Sequence, residues 1–393
     1  MAPHPTRRAV LAGTTLGLAA GGPGAAPARA QARPFMLRQL DLTETANGPF
    51  IFNGFAEANP GLLAGVSAER THMEYLFGDI RAQVAAGRPP YHVVLTNLDG
   101  AAMGAELDLW EPMGARIQPL LPPMDELLTP LGRVLRGVLR EHAQVIVASP
   151  GGPLLTYAPD RVPRMPRTAE GLLAWARENP GRFLYPRPEF SESGRCFVAG
   201  LPWMLQDRDP HDPEDGWPAT WEYLAELDRH VAYYPTTTLA AMQELAEGGA
   251  DIVATTLGVD ILNRVTGLLP EGIGLAPLAG MHWIPTGLFV AVLRGHAPAE
   301  LDTIAQAIAY LLSEPVQRTF FGRGQYWPGP VRQGIALENA PPEMRGELRR
   351  LVRSWAPSLI ASQHVAPPLL LEETLTMLRR WDEDISAWHG VRP

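Results

Sequence analysis

The chain has 393 residues, 46% of them hydrophobic and 19% charged, a balance that excludes wholesale disorder. At that length two lobes are expected rather than one growing core. The formal charge of −9, with all 33 cations arginine, argues against nucleic acid as a partner, because phosphate binding needs a positive surface. The N-terminus reads as an export signal. Arg7-Arg8 precede an apolar Gly/Ala-rich stretch to Ala20, and Ala28-Arg29-Ala30 is a small-residue cleavage site. The paired arginines suit twin-arginine export. The apolar stretch falls short of the ~20 residues that span a bilayer, so a cleaved signal over residues 1–30 is expected rather than an anchor. Its removal takes away Arg7, Arg8 and Arg29 and no acid, leaving 30 Arg against 42 acids and a formal charge of −12. Cys196 is the only cysteine, which excludes an intrachain disulfide and a cysteine-built zinc site.

Met36–Leu42 alternates apolar and polar side chains and predicts a strand. A helix opens at Pro49 or Phe50 and stops at Asn59-Pro60-Gly61. A second strand is expected over Val66–Thr71, then a helix over His72–Ala86, then a short buried strand Val93–Leu95. Strands alternating with helices describe a parallel sheet whose ligands bind beyond the strands' carboxyl ends. Thr43–Gly48 and Thr96–Gly100 are therefore candidate loops.

Farther on, Val145–Ala148 is extended, broken at Ser149–Pro153 and resumed by Leu154–Tyr157. Thr168 caps a helix to Glu178, followed by a strand over Arg182–Tyr185. Residues 206–219 read as an exposed polar excursion. A helix over Thr238–Ala246, a buried strand Ile252–Ala254, another strand Leu288–Leu293, and helices over 298–312, 342–355 and 371–388 complete the chain.

Several segments together resemble the type 2 periplasmic solute-binding proteins of ABC importers. They are Phe55–Pro60, Tyr91–Thr96, Leu155–Asp160, Pro166–Phe183, Ala307–Gln317 with its Leu311-Leu312-Ser313-Glu314-Pro315-Val316-Gln317 end, and Gly324–Pro328. His92 stands where that family often carries Asp. The resemblance, nearest to the polyamine, thiamine and iron branch, implies a two-lobed α/β fold. Each lobe is then a mixed sheet flanked by helices, with the ligand cleft between lobes joined near Ser149–Tyr157 and Leu275–Trp283. It assigns residues 31–152 and 284–330 to one lobe, 153–283 to the other, and 331–393 to a helical segment packed on both.

The candidate ligand contacts follow from the loops at strand ends. Ser191, Ser193 and Gly194 expose free N–H groups at a helix start, and Arg195 adds a bidentate cation. Their plainer reading is an ordinary N-cap. Thr236, Thr237 and Thr238 repeat the pattern with Thr238 as the expected cap, and Thr255 and Thr256 form the third hydroxyl-rich loop. In the other half Thr43, Glu44, Asn97 and Asp99 face them, with a turn as the alternative for Asp99-Gly100. Tyr157, Tyr234, Trp283 and Tyr326 are aromatic candidates for the cleft, with core packing as the alternative. The histidines show no ligand spacing and no nucleophile motif is present, so neither metal, cofactor nor catalysis is expected. The expectation is a soluble, monomeric, periplasmic protein. It would bind a small polar solute and hand it to an ABC permease of the inner membrane. An exported enzyme or a ligand sensor on the same fold is the alternative.

Overall fold

The computed structural model describes residues 33–43, 51–71, 77–139, 141–270, 272–322, 324, 326–362 and 364–386. The expected signal segment and Glu44 lie outside them. In chain order the first half holds β1 (Phe35–Asp41), α1 (Asn53–Ala58), β2 (Leu63–Arg70), α2 (Phe77–Ala85), β3 (Val93–Thr96) and α3 (Leu98–Glu106). Short helices α4 (Met113–Arg116) and α5 (Met124–Leu127) and the longer α6 (Pro130–Leu139) lead to β4 (Ala143–Gly152). Next come β5 (Leu154–Tyr157), α7 (Ala169–Glu178), β6 (Phe183–Leu184), α8 (Glu192–Met204), α9 (Pro218–Asp228) and α10 (Thr238–Glu247). They are followed by β7 (Ile252–Thr255), α11 (Leu257–Val265), β8 (Gly274–Ala276) and β9 (Ile284–Val292). The chain closes with α12 (Pro298–Leu311), α13 (Glu314–Gln317), β10 (Gly329–Pro330), α14 (Pro342–Leu351), α15 (Ala356–Ser362) and α16 (Leu371–Asp384).

These strands build two mixed sheets. The larger has the order β10-β4-β9-β3-β1-β2, with β1 parallel to β2 and β3 and with β9 antiparallel to β3 and β4. The smaller has the order β6-β7-β5-β8, with β6 and β7 parallel and β5 antiparallel to both its neighbours. Helices flank each, and the molecule is a two-lobed α/β protein. The lobes are joined by two adjacent passes. β4 runs into β5 through Pro153, and β8 returns to β9, whose Ile284 still pairs with Gly152.

Both β4 and β9 are buried along their whole length, which is why they read as apolar runs rather than alternating strands. Each is longer than its sequence suggests, because Pro and Gly ordinarily break strands. Here the ladder slips between Ser149 and Gly152, so Pro285 faces the bulge and owes no ladder bond. Gly151, at φ +75°, takes up the kink, and a Cβ there would stand 2.1 Å from Ile284 O.

Residues 206–219 are exposed at Gln206, Arg208, Asp209, Glu214, Asp215 and Pro218, yet the excursion is anchored to the lobe. Trp217 is fully buried, and Asp207 caps α9 by accepting from Ala219 N (2.8 Å), Thr220 N (2.9 Å) and Thr220 Oγ1 (2.6 Å). Trp221 Nε1 fastens the loop by donating to Pro213 O at 2.9 Å.

His92 acquires a meaning that its spacing hid. Its Nδ1 accepts from Arg38 N at 2.9 Å, so a neutral imidazole supplies the acceptor that a carboxylate could offer. Its ring stacks on His296 at 4.6 Å, although 204 positions separate the two in sequence, and His296 Nε2 lies 3.0 Å from Tyr91 O. Both imidazoles are held below their ordinary range, chiefly by burial, His92 to about 3.

Candidate functional site between the lobes

The two sheets turn helix N-termini toward one another. In the larger lobe β3 ends at Thr96, and Asn97 caps α3, its Oδ1 accepting from Gly100 N at 3.0 Å. Asp99 lies in the first turn of α3, where a carboxylate complements the helix dipole. The alternative of a turn at Asp99-Gly100 is thus replaced by a helix start. Thr43, just past β1, donates from both N (2.8 Å) and Oγ1 (2.6 Å) to Asp41 Oδ1, itself paired with Arg70.

In the smaller lobe Ser191 caps α8, accepting from Gly194 N at 3.3 Å. Thr237 caps α10 through Ala240 N (3.1 Å), and Thr256 caps α11 through Val259 N (3.4 Å). The cap of α10 is therefore Thr237 and not Thr238. Thr238 Oγ1 instead shares a hydrogen bond of 2.6 Å with Ser191 Oγ, so α8 and α10 begin side by side. β7 ends at Thr255 and leads directly into α11, which puts all three N-termini at one edge of the sheet.

An ion pair joins the lobes at that edge. Arg195 Nε stands 2.9 Å from Asp99 Oδ2, with the arginine nearly buried. The N–H points off the oxygen, and neither Nε nor Nη2 of Arg195 makes a hydrogen bond. Burial pulls this guanidinium down, but Asp99, Cys196, Glu192 and Tyr326 together hold it above its ordinary value, so it stays charged. Beside it Ser193 Oγ is fully buried without a partner, and Thr286 on β9 faces the Glu192 carboxyl. Glu192, near Thr286, has its carboxyl pushed up by burial against the pull of Arg195. A buried polar group without a partner costs free energy, on the order of 1–3 kcal/mol. A cluster of them is the signature of a surface shaped for a hydrogen-bonding guest.

The structure brings together Asn97, Asp99, Ser191, Ser193 and Arg195, with Tyr326 within electrostatic reach of the guanidinium. Thr255 is fully buried and donates to Thr256 O at 3.3 Å, a strand-end contact, while Thr236 is exposed beside the α10 cap. Four candidates also have roles in the fold itself. Gly194 serves packing, because a Cβ there would meet Pro186 O at 2.0 Å. Tyr157 ends β5 opposite Ile252, at the far end of the strand from Thr255, with its ring across Gly274. Tyr234 is a core ring, edge-on to Tyr185 and Trp381, its hydroxyl donating to Asp228 Oδ1 at 2.6 Å. Trp283 is fully buried in an apolar cluster with Leu154, Leu257 and Trp327, its Nε1 without a hydrogen-bond partner. Two residues that the sequence reading passed over, Glu192 and Thr286, lie in the same cluster as Arg195. A lone hydroxyl within the apolar run Ile284–Val292 was the available signal for Thr286. Cys196 is an inert buried thiol, pushed up to about 12 mainly by burial. Among the described residues no group of His, Cys, Asp and Glu is arranged to hold a metal, and no helix is long and apolar enough to cross a membrane.

The fold is shared with solved binding proteins. AfuA from Actinobacillus pleuropneumoniae, a periplasmic binding protein solved with fructose-6-phosphate, is similar at 15% identity and TM-score 0.64 over 90% of this chain and 99% of that one. A ferric binding protein from Campylobacter jejuni is similar at 11% identity and TM-score 0.63, over 91% and 100%. A periplasmic thiamin binding protein gives 12%, 0.61, 94% and 100%. No curated protein matches the sequence. The family model for bacterial extracellular solute-binding proteins matches residues 51–345, three quarters of the chain. That match spans more than half of the chain, and the chain belongs to the bacterial extracellular solute-binding proteins.

Proposed function

We propose that the chain captures a small polar organic solute between its lobes, outside the cytoplasm, and delivers it to an ABC permease without chemical change. The observation that carries this reading is the Asp99–Arg195 pair, one residue from each lobe, set among polar atoms with no partner. The site presents one guanidinium and two carboxyls, Asp99 and Glu192. A solute offering both an acceptor and a donor matches it, the first for Arg195 and Ser193 and the second for Asp99 and Glu192. A simple anion meets two carboxyls against one cation. Closure of the lobes about the paired strands would complete the grip.

The test is native mass spectrometry of the exported protein, followed by thermal-shift titration with the solute so identified and with its carboxylate-only and amine-only analogues. The intact solute is expected to be released chemically unchanged. At a hundred times its dissociation constant it should add about 2.7 kcal/mol of apparent stability. Turnover of the solute, or equal stabilisation by either half-analogue, would contradict the proposal.

A further inference from the structure

We infer that Arg187 and Asp382 are positioning residues, through which the C-terminal helix α16 sets the spacing of the two helix starts that grip the solute. The inference rests on the reading of Asp99 and Arg195 as the gripping pair.

Helix α16 is rooted in the smaller lobe. Met377, Trp381 and Ile385 are buried in that lobe's core, and Trp381 Nε1 donates to Tyr185 OH at 3.0 Å. Arg187, in the loop between β6 and α8, reaches the helix. Its Nη2 donates to Asp382 Oδ1 (2.8 Å) and to Glu189 Oε1 (2.9 Å), and its guanidinium lies over the Trp381 ring at 5.1 Å. Ser386 Oγ holds the same Asp382 oxygen at 2.7 Å.

The loop so clamped is not slack. Arg187 N donates to Pro235 O at 2.8 Å, which ties it to the segment before α10. Pro186 O presses on Gly194 so closely that no Cβ fits between them. A shift of the loop must therefore move the first turn of α8, where Ser193 and Arg195 sit.

Helix α16 also lies against α3, the helix that Asn97 caps and that carries Asp99, and Leu371 at its start packs against the larger lobe's core. One helix thus contacts both walls of the site, through a charge clamp on one wall and apolar packing on the other. Interiors packed at native density transmit displacement rather than absorb it, so α16 acts as a spacer bar across the junction.

The test uses the full exported chain with spin labels at Glu106→Cys and Glu178→Cys, exposed positions on α3 and α7, leaving the buried Cys196 in place. Pulsed dipolar spectroscopy reads the distance between the lobes. Arg187→Ala and Asp382→Ala are each expected to lengthen and broaden that distribution. Arg187→Lys, which keeps an ion pair with Asp382, should return it toward the parent. Arg379→Ala, which removes a different α16 ion pair, to Glu214, should leave it unchanged. If the alanine variants fail to fold, Asp382→Asn, which keeps the side-chain shape, takes their place with the same expectation. A distribution that stays at the parent value while the unfolding temperature falls would mean that α16 is structural only. That result would overturn this inference and leave the solute site standing, since the distances are read without any solute.

Discussion

Replacing Arg195 by leucine is expected to weaken solute binding by about a hundredfold or more while leaving a folded protein. Truncating one partner of a buried charge pair costs about 2–5 kcal/mol, and each 1.4 kcal/mol is tenfold in affinity. Two features separate this outcome from simple unfolding. Asp99 keeps 22% of its side-chain surface in solvent, so losing its partner does not strand it in an apolar interior. Burial already raises the Glu192 carboxyl above its ordinary range against the pull of Arg195, so it tolerates loss of that cation better than an unperturbed carboxylate would. Lysine at 195 should recover only part of the affinity, because an ammonium lacks the planar fork that serves two acceptors. Isothermal titration with the co-purifying solute, beside a melting curve of each variant, measures both quantities. Arg195→Leu binding at parental strength would remove Arg195 from the site.

Acid is expected to destabilise the larger lobe through the stacked pair His92 and His296. Both groups have folded-state values below their unfolded value near 6.5, His92 at about 3. Between those limits the unfolded chain binds protons that the folded chain refuses, so stability is complete above pH ~6.5 and declines as pH falls toward 3. Each group contributes a slope of up to about 1.4 kcal/mol per pH unit. Both side chains are nearly buried, so solvent does little to mask the effect. Urea unfolding of the parent and of His92→Asn from pH 7.5 to 4 isolates the contribution from that of the carboxylates. The variant should lose stability less steeply, and equal slopes would contradict the account.

Much of the fold was legible because its signals are local. The parallel run β1, β2 and β3 came from periodicity and from the stop at Asn59-Pro60-Gly61. Thr168 was readable as a cap because its side chain does accept from Gly171 N, three residues on, at 3.0 Å. What failed was decided at a distance. Pro285 and Gly287 argue against a strand until the slipped register against Ser149–Gly152 is known. Helix α11 went unassigned although Leu257 and Ile261, and Asp260 and Arg264, stand four apart as helical neighbours do. For the site, the sequence showed which loops lie at strand ends, and Asn97, Asp99, Ser193 and Arg195 followed from that. It could not show that Asp99 and Arg195 touch, since the pairing depends on how two sheets are hung from one pair of strands. The environments of Trp283 and Tyr234 were hidden for the same reason, because an aromatic beside a crossing strand can face either a cleft or a core, and both are buried.

A crystal structure of the protein with its co-purified solute tests the central claim most directly. The account predicts that the solute lies between the lobes with one polar group on Arg195 and Ser193 and another on Asp99 or Glu192. Solute bound elsewhere, for example in the pocket of about 370 Å³ lined by Arg167, Pro277, Met281 and Leu359, with the Asp99–Arg195 junction untouched, would contradict it.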